Sequence, residues 1–195
     1  MEESTKKSDE IHTSRLEAFS DGVLAILITI MVLELRTPEE GNFEAFKPLF
    51  PTFLAYLLSF TLIGIYWNNH HHLLRATKRI SASVMWANLY LLFWLSLVPF
   101  VTGWVGEHHE SSWPAACYGF VCAMCAIAYT ILVEAIKRSN TDTKIVEAIG
   151  SDVKGKVSLA LYVAGAGLAF VNPSISYTAY VAVAVIWFIP DRRLS

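Results

Sequence analysis

Charged residues are scarce in this chain of 195 residues: Asp, Glu, Lys and Arg make up 16%, while hydrophobic residues make up 54%. An ordinary soluble domain is about one quarter charged. The composition therefore predicts a membrane protein, and a chain this short with several apolar runs has no room for a separate soluble catalytic domain. No basic stripe with interleaved aromatic residues is present, which argues against nucleic acid as a partner.

Cysteine is also rare, and its three copies, Cys117, Cys122 and Cys125, lie in one apolar stretch. This placement favours packing over a disulfide framework or a zinc site. The run His70-His71-His72 does not predict a metal site either, because successive residues of a helix point about 100 degrees apart. No combination of nucleophile, base and orienting group is recognisable. We therefore expect no enzymatic activity, no bound metal and no cofactor.

Long uncharged stretches predict an all-α membrane protein with six transmembrane helices in one domain, residues 1–195. We expect the helices at roughly residues 15–35, 49–72, 83–104, 113–135, 156–171 and 175–190. Ser14 followed by Glu17 has the spacing of a capping box, which predicts that the first helix begins there. In the fifth helix Gly165 and Gly167 indicate close packing against a neighbour, since small residues let helix backbones approach in lipid.

Lysine and arginine are distributed unevenly between the two sides that six spans create. With an even number of spans both termini lie on one side, and that side has thirteen of these residues against two on the other. The thirteen are Lys6, Lys7, Arg15, Arg75, Lys78, Arg79, Lys137, Arg138, Lys144, Lys154, Lys156, Arg192 and Arg193. Because cytoplasmic loops carry the positive excess, we expect both termini in the cytoplasm.

The first predicted helix carries a stripe of residues that share one face: Ile26, Thr29, Ile30 and Leu33. Such a stripe is usually a lipid-facing or packing surface. Asp21 favours another interpretation, because an ionisable group inside a span costs about 2.5–3.5 kcal/mol and often marks an ion path. Asp21 also lies close enough to the membrane interface to be solvated or paired with a basic residue, so both interpretations stay open.

The segment Arg15–Val23, Arg-Leu-Glu-Ala-Phe-Ser-Asp-Gly-Val, resembles the first-helix signature of the prokaryotic relatives of transmembrane protein 175, an endolysosomal potassium channel family. Ala25, Ile26 and Thr29 continue the likeness. In the second helix, Trp67-Asn-Asn-His70-His71 is similar to the family's Trp-x-x-His pattern. The six spans and the chain length also fit, while helices three to six match in organisation more than in motifs.

The resemblance implies a potassium-permeable cation channel without the Thr-Val-Gly-Tyr-Gly loop of the usual potassium channels, and this chain has no such loop. It implies that the first helix lines the pore in a prokaryotic cell membrane. Ile26 then forms the main constriction, followed by Ile30 and Leu33, with Thr29 as the polar member. Since animal members carry two repeats and pair up, a chain with one repeat is expected to form a homotetramer.

The resemblance further implies a polar network that fixes the first helix against the second. Its expected members are Arg15, Phe19, Ser20, Asp21, Trp67, His70 and His71. The alternative for Asp21 is to face the cytoplasmic vestibule and concentrate cations there.

A ring of four isoleucines offers no oxygen ligand, so it acts as a dewetting gate or a size filter. We expect passive conduction with modest selectivity for potassium over sodium, and as partners potassium ions, the lipid bilayer and other copies of the chain. The main alternative is a proton-linked or secondary transporter, which is expected to have an ionisable site near the bilayer midplane. The predicted spans lack Asp, Glu, Lys and Arg at that depth. A non-conducting membrane scaffold is the third possibility.

Overall fold

The computed structural model is almost entirely helical and describes residues 2–77, 79–140 and 153–188, with side chains from Thr13 onward. The helices are α1 (Glu2–Leu33), α2 (Phe50–Arg75), α3 (Ala82–Ser96), α4 (Val98–Glu107), α5 (Ser112–Ser139), α6 (Val153–Leu168) and α7 (Pro173–Phe188). A short 3-10 helix, Glu44–Leu49, leads into α2. Because α3 and α4 form one apolar segment, the described residues contain six helical units, as the sequence predicts.

The first helix begins at Glu2 rather than near residue 15, which corrects the prediction from the Ser14 capping motif. A capping residue marks a helix start only when the preceding backbone leaves the helix. The segment before Ser14 contains good helix formers such as Glu and Lys, and it continues the helix instead. The part of α1 suited to a membrane is Thr13–Leu33. Its 21 residues are enough to cross the about 30 Å hydrocarbon core.

The third span is interrupted at Leu97, where the sequence predicted one helix over 83–104. Pro99 accounts for the interruption, because proline has no N–H and its ring clashes with the carbonyl four residues earlier. The pieces α3 and α4 still make one apolar segment, Ala82–Glu107. The predicted sixth helix extended to residue 190, and residues 189 and 190 lie outside the described part. So do four residues used for the orientation argument, Lys78, Lys144, Arg192 and Arg193.

Helix α5 occupies the middle of the bundle, where it packs against α3, α4, α6 and α7. Many of its buried side chains are small: Ala115, Ala116, Gly119, Cys122, Ala123, Cys125 and Ala128. In a membrane, helices associate through close packing of this kind, because lipid tails are as apolar as leucine and provide no hydrophobic driving force between helices. The cysteines are therefore packing residues, as their position in the sequence predicts.

Tyr180 of α7 fills a notch that two glycines create. A Cβ atom added at Gly119 would collide with the Tyr180 hydroxyl, and one added at Gly165 would lie 2.5 Å from Tyr180 Cε1. The hydroxyl donates a hydrogen bond of 3.0 Å to the carbonyl of Ala115. The prediction of close packing is confirmed for Gly165 and is wrong for Gly167, where no described atom lies within 4 Å of an added Cβ. Residues that lie two positions apart on a helix point in nearly opposite directions, so Gly167 faces away from Tyr180.

Within the described part of the chain, four segments are long and apolar enough to cross a membrane: Thr13–Leu33, Glu44–Arg75, Ala82–Glu107 and Ser112–Ser139. Helices α6 and α7 have 16 residues each, a length of about 24 Å, and they pack against each other as a hairpin. The chain is thus an integral multi-pass membrane protein with an all-α fold.

Candidate permeation pathway

Helix α1 has one buried face and one exposed face. The buried face packs against α2, α3 and α4 and consists of Leu16, Ser20, Leu24, Leu27 and Met31. The spacing of three and four residues keeps these side chains in one row. The opposite face, exposed in the single chain, carries Ile26, Thr29, Ile30 and Leu33. The stripe recognised in the sequence therefore points away from the core of the chain.

Between Ile26 and Leu33 the exposed stripe of α1 is apolar except at Thr29. Ile26, Ile30 and Leu33 are 57%, 43% and 78% exposed. Thr29 Oγ1 donates a hydrogen bond of 2.9 Å to the carbonyl of Ile26, so the hydroxyl proton is used within the helix and the oxygen lone pairs remain available. This face therefore presents one weak oxygen ligand between layers of hydrocarbon.

Ser20, Asn88 and His70 form a buried hydrogen-bond chain that links α1, α3 and α2. Asn88 Nδ2 donates to Ser20 Oγ at 2.9 Å, and Ser20 donates to the Leu16 carbonyl at 2.9 Å. Asn88 Oδ1 lies 2.7 Å from His70 Nε2; because an amide oxygen only accepts, His70 is the donor. Each of the three linking side chains is at most 1% exposed. A shift of α1 would break these hydrogen bonds and leave buried polar groups unpaired, at about 1–3 kcal/mol each. The Ser20–Asn88–His70 hydrogen bonds therefore fix the depth and rotation of α1.

A second contact ties α1 to α2 nearer the end of the bundle where α2 finishes. Glu17 Oε1 lies 2.7 Å from His71 Nδ1, and the Trp67 ring stacks on His71 with centroids 6.0 Å apart. Both members of the pair are partly exposed, so solvent screens it and it stabilises less than the buried chain. Neighbouring histidines thus take different partners, and the described residues contain no group of three side chains suited to a metal ion.

The remaining signature residues lie outside these contacts. Arg15 and Phe19 are exposed and continue, at spacings of four and seven, the row that leads to Ile26. Asp21 is half-buried, and its Oδ1 atom accepts no hydrogen bond from the described residues. The structure therefore brings Ser20 to His70 through Asn88, while Arg15 and Phe19 extend the outward face of α1.

The end of the bundle opposite the Glu17–His71 pair is called here the outer end. There Arg36 follows α1 and pairs with Glu107 at the end of α4, with a nitrogen–oxygen distance of 3.1 Å. Glu34 is exposed and lies over Gly103, where an added Cβ would be 3.2 Å from Glu34 Oε2. The Glu34 carboxylate thus lies at the outer end of α1, on the side that faces α4.

A buried hydroxyl cluster joins α2, α4 and α5. Ser59 Oγ lies 2.7 Å from Thr102 Oγ1 and 2.9 Å from the Tyr118 hydroxyl. Neither this hydroxyl cluster nor Asn88 was predicted from the sequence. The available signal was a lone amide or hydroxyl within a long apolar run, since a polar group inside a membrane needs a partner. Which partner it takes depends on which helices meet, and a single sequence does not give that.

Known proteins are similar to this chain both in the first-helix signature and over most of its length. A family model described as "Endosomal/lysosomal potassium channel TMEM175" matches residues 15–99. A protein of Chryseobacterium sp. (strain P1-3) described as a potassium channel is 52% identical over 181 residues, which cover 92% of this chain and 94% of that protein. A Streptomyces collinus protein, also described as a potassium channel, is 30% identical over 187 residues, covering 90% and 91% of the two chains.

A solved structure has the same fold. It is the crystal structure of a lysosomal potassium-selective channel TMEM175 homologue from Chamaesiphon minutus, with a TM-score of 0.80 and 29% identity, covering 91% of this chain and 97% of that chain. A Gallus gallus protein described as an endosomal/lysosomal proton channel TMEM175 is 30% identical over 117 residues, 54% of this chain and 23% of that protein. The relatives are ion channels rather than enzymes. On its first-helix signature, its fold and its relatives, this chain belongs to the TMEM175 family as a prokaryotic member.

Proposed function

We propose that this chain is a potassium-permeable cation channel whose pore is lined by the outward face of α1. The observation that carries the proposal is that Ile26, Thr29, Ile30 and Leu33 point away from the core on the helix that bears the family signature. The relatives at 52% and 30% identity are described as potassium channels, which supports the same activity here. Conduction is passive, down the electrochemical gradient.

The pore requires several copies of the chain, because one α1 helix cannot enclose a path. The sequence contains one signature element, and cyclic symmetry places identical faces around a common axis. We propose a homotetramer with four α1 helices at the centre. In this arrangement the exposed row from Arg15 through Phe19 to Ile26 faces the axis or the neighbouring copy instead of lipid.

The proposed filter works through partial dehydration rather than close coordination. In the tetramer Ile26, Ile30 and Leu33 form successive apolar rings, and Thr29 supplies a ring of hydroxyl oxygens between them. An apolar ring offers no ligand, so an ion passes only with part of its water or where the ring is wide enough. A partly hydrated potassium ion sheds water more easily than sodium, but nothing binds it closely. The expected selectivity for potassium over sodium is therefore modest.

The distribution of basic residues supports cytoplasmic termini and a location in the cell membrane. With this topology Glu34 and the Arg36–Glu107 pair face outward, and Glu34 favours cations at the outer mouth by simple attraction. The Ser20–Asn88–His70 chain then lies toward the cytoplasmic half of α1. Its role is to hold the pore helix at a fixed rotation, so that Ile26 stays on the axis.

The proposal is tested by ion flux from proteoliposomes under a potassium gradient and then a matched sodium gradient. The full chain is expected to pass potassium faster than sodium. In Ile26→Asn the constriction becomes polar and wider, so the ratio of the two fluxes falls toward one while total flux is retained or increased.

Ile131→Asn is the matched control, because Ile131 is also an exposed isoleucine, 44% accessible, but lies on α5. It is expected to leave the flux ratio unchanged. Absence of flux for both ions in the full chain would contradict the channel proposal. An equal effect of both substitutions would contradict the assignment of the pore to α1.

Proton conduction is a second candidate function. Vertebrate relatives are described as proton channels, and the half-buried Asp21 has a carboxylate oxygen without a hydrogen-bond donor among the described residues. A pH-sensitive dye inside the same liposomes measures proton entry driven by a potassium diffusion potential. Proton flux that disappears in Asp21→Asn while potassium flux persists would favour this candidate.

A further inference from the structure

A groove of about 740 Å³ lies between α2 and α7, and no described residue of α1 contributes to it. Its walls are formed by Leu54, Leu57, Leu58 and Thr61 of α2 and by Tyr177, Val181, Val185 and Phe188 of α7. Its floor consists of buried side chains, namely Ala55, Val105, Tyr118 and Ala184. The small Ala55 and Ala184 side chains leave the space that makes this face concave.

The polarity of the groove changes along its length. Polar side chains cluster at the outer end, where His109 and Glu110 of the α4–α5 turn meet Asn172 of the α6–α7 turn and Ser174 of the first turn of α7. Deeper in the groove the lining is hydrocarbon apart from the Thr61 and Tyr118 hydroxyls, and Tyr118 bonds to Ser59. The groove is therefore amphipathic, with a polar rim at one end and an apolar channel behind it.

We propose that this groove binds the acyl chain of a phospholipid whose headgroup carries an ammonium group and lies beside Glu110. The walls belong to helices of the membrane region, so the medium that reaches them is lipid. From Pro173 to Phe188 the helix rises about 22 Å, which exceeds the about 15 Å depth of one leaflet's hydrocarbon. The volume falls within the range of about 300–1,000 Å³ that is typical of ligand pockets.

The charge at the rim selects the headgroup. Glu110 is exposed, and among the described residues no basic side chain forms an ion pair with it. The turn that holds it is anchored, because the Tyr177 hydroxyl donates a hydrogen bond of 3.0 Å to the carbonyl of His109. A fixed carboxylate attracts an ammonium group and repels a headgroup that carries only negative charge. Phosphatidylethanolamine therefore fits the rim better than phosphatidylglycerol.

Photolabelling of the full chain in liposomes tests the proposal without depending on channel activity. The probe is phosphatidylethanolamine with a diazirine in one acyl chain, used as a minor component, and labelled peptides are located by mass spectrometry. Labelling is expected to concentrate in residues 54–61 and 177–188. Val181→Trp fills the groove and should reduce this labelling to the level of other exposed surfaces. Val163→Trp, on an exposed face of α6, should leave it unchanged.

The headgroup is tested with the same diazirine on phosphatidylglycerol. The full chain should favour the ethanolamine probe about two- to fivefold, the effect of one exposed charge pair. Glu110→Gln should remove this preference, and Glu39→Gln, in another exposed outer loop, should keep it. Even labelling of all exposed faces, an unchanged pattern in Val181→Trp, or protein–protein crosslinks in place of lipid labels would overturn the proposal. The last outcome would assign the groove to contact between copies of the chain.

Discussion

Asn88 is the side chain that joins three helices, because its amide contacts Ser20 of α1 and His70 of α2 while it belongs to α3. Asn88→Leu keeps a similar volume but leaves two buried polar groups without their partner, at about 1–3 kcal/mol each. We expect the midpoint of thermal unfolding in detergent to fall by about 4–24 °C. Intrinsic tryptophan fluorescence during heating measures the shift.

Asn69→Leu provides the control for this prediction. Asn69 is half-buried on α2, and its amide donates to the carbonyl of Ile65 in the same helix at 2.7 Å. Its loss removes a bond within one helix and no described bond between helices, so the midpoint should move much less. Equal shifts in the two variants would show that the hydrogen bonds between helices stabilise the protein no more than a hydrogen bond within one helix does.

The Glu17–His71 pair is expected to contribute less to the stability of the fold than the buried Ser20–Asn88–His70 hydrogen bonds. The two side chains are 23% and 31% exposed, and exposed ion pairs contribute about 0–1 kcal/mol. Glu17→Gln should therefore lower the thermal midpoint by less than Asn88→Leu does in the same assay. A larger loss in Glu17→Gln would reverse the ranking and make the pair the main attachment between α1 and α2.

At the scale of the helices, Gly165 and Gly167 give a direct test of packing within one element. A Cβ at Gly165 meets the Tyr180 ring at 2.5 Å, so Gly165→Ala should displace that ring from its notch. Overpacking of this kind typically costs about 1–3 kcal/mol. Gly167→Ala meets open space and should be neutral, or stabilising by up to about 1 kcal/mol. Thermal unfolding of the two variants in detergent separates these cases, and similar losses in both would contradict the notch.

The number of membrane helices was predictable from the sequence, because hydrophobic content determines which segments enter the membrane. Uncharged runs gave six helical units because transfer from water to lipid dominates the free energy of a membrane segment. The break at Leu97 and the start of α1 at Glu2 were not predicted. A proline such as Pro99 disturbs a helix, but the sequence does not determine whether the helix kinks or breaks. At Ser14 the capping motif competes with a preceding segment that itself favours helix. Both outcomes depend on small differences in backbone free energy rather than on hydropathy.

The signature residues show the same limit for the candidate site. Sequence resemblance selected Ser20 and His70, but the residue that connects them, Asn88, lies on a third helix outside the motif. Asp21 and Arg15 were expected in the network, and the described residues supply no hydrogen bond to Asp21 Oδ1. A motif read from one sequence identifies residues that act together, while the packing of helices determines which atoms meet.

At the scale of the whole molecule, the exposed α1 face predicts how copies of the chain assemble. Purified protein should have the mass of four chains of 21.8 kDa, about 87 kDa, by mass photometry after correction for detergent. A dimer or a monomer would contradict the proposed tetramer. The mass alone does not place α1 on the axis, and a crosslink between copies is needed for that.

Ile30→Cys supplies this crosslink in a background where Cys117, Cys122 and Cys125 are replaced by alanine. If four α1 helices surround a narrow pore, cysteines at position 30 approach within the about 7 Å Cα separation that a disulfide requires. Mild oxidation should then give a dimer band on a denaturing gel, and reduction should remove it. Val163→Cys, equally apolar and exposed but on α6, should stay monomeric. A tetramer that forms no disulfide at position 30 would place another helix at the centre and move the permeation path away from α1.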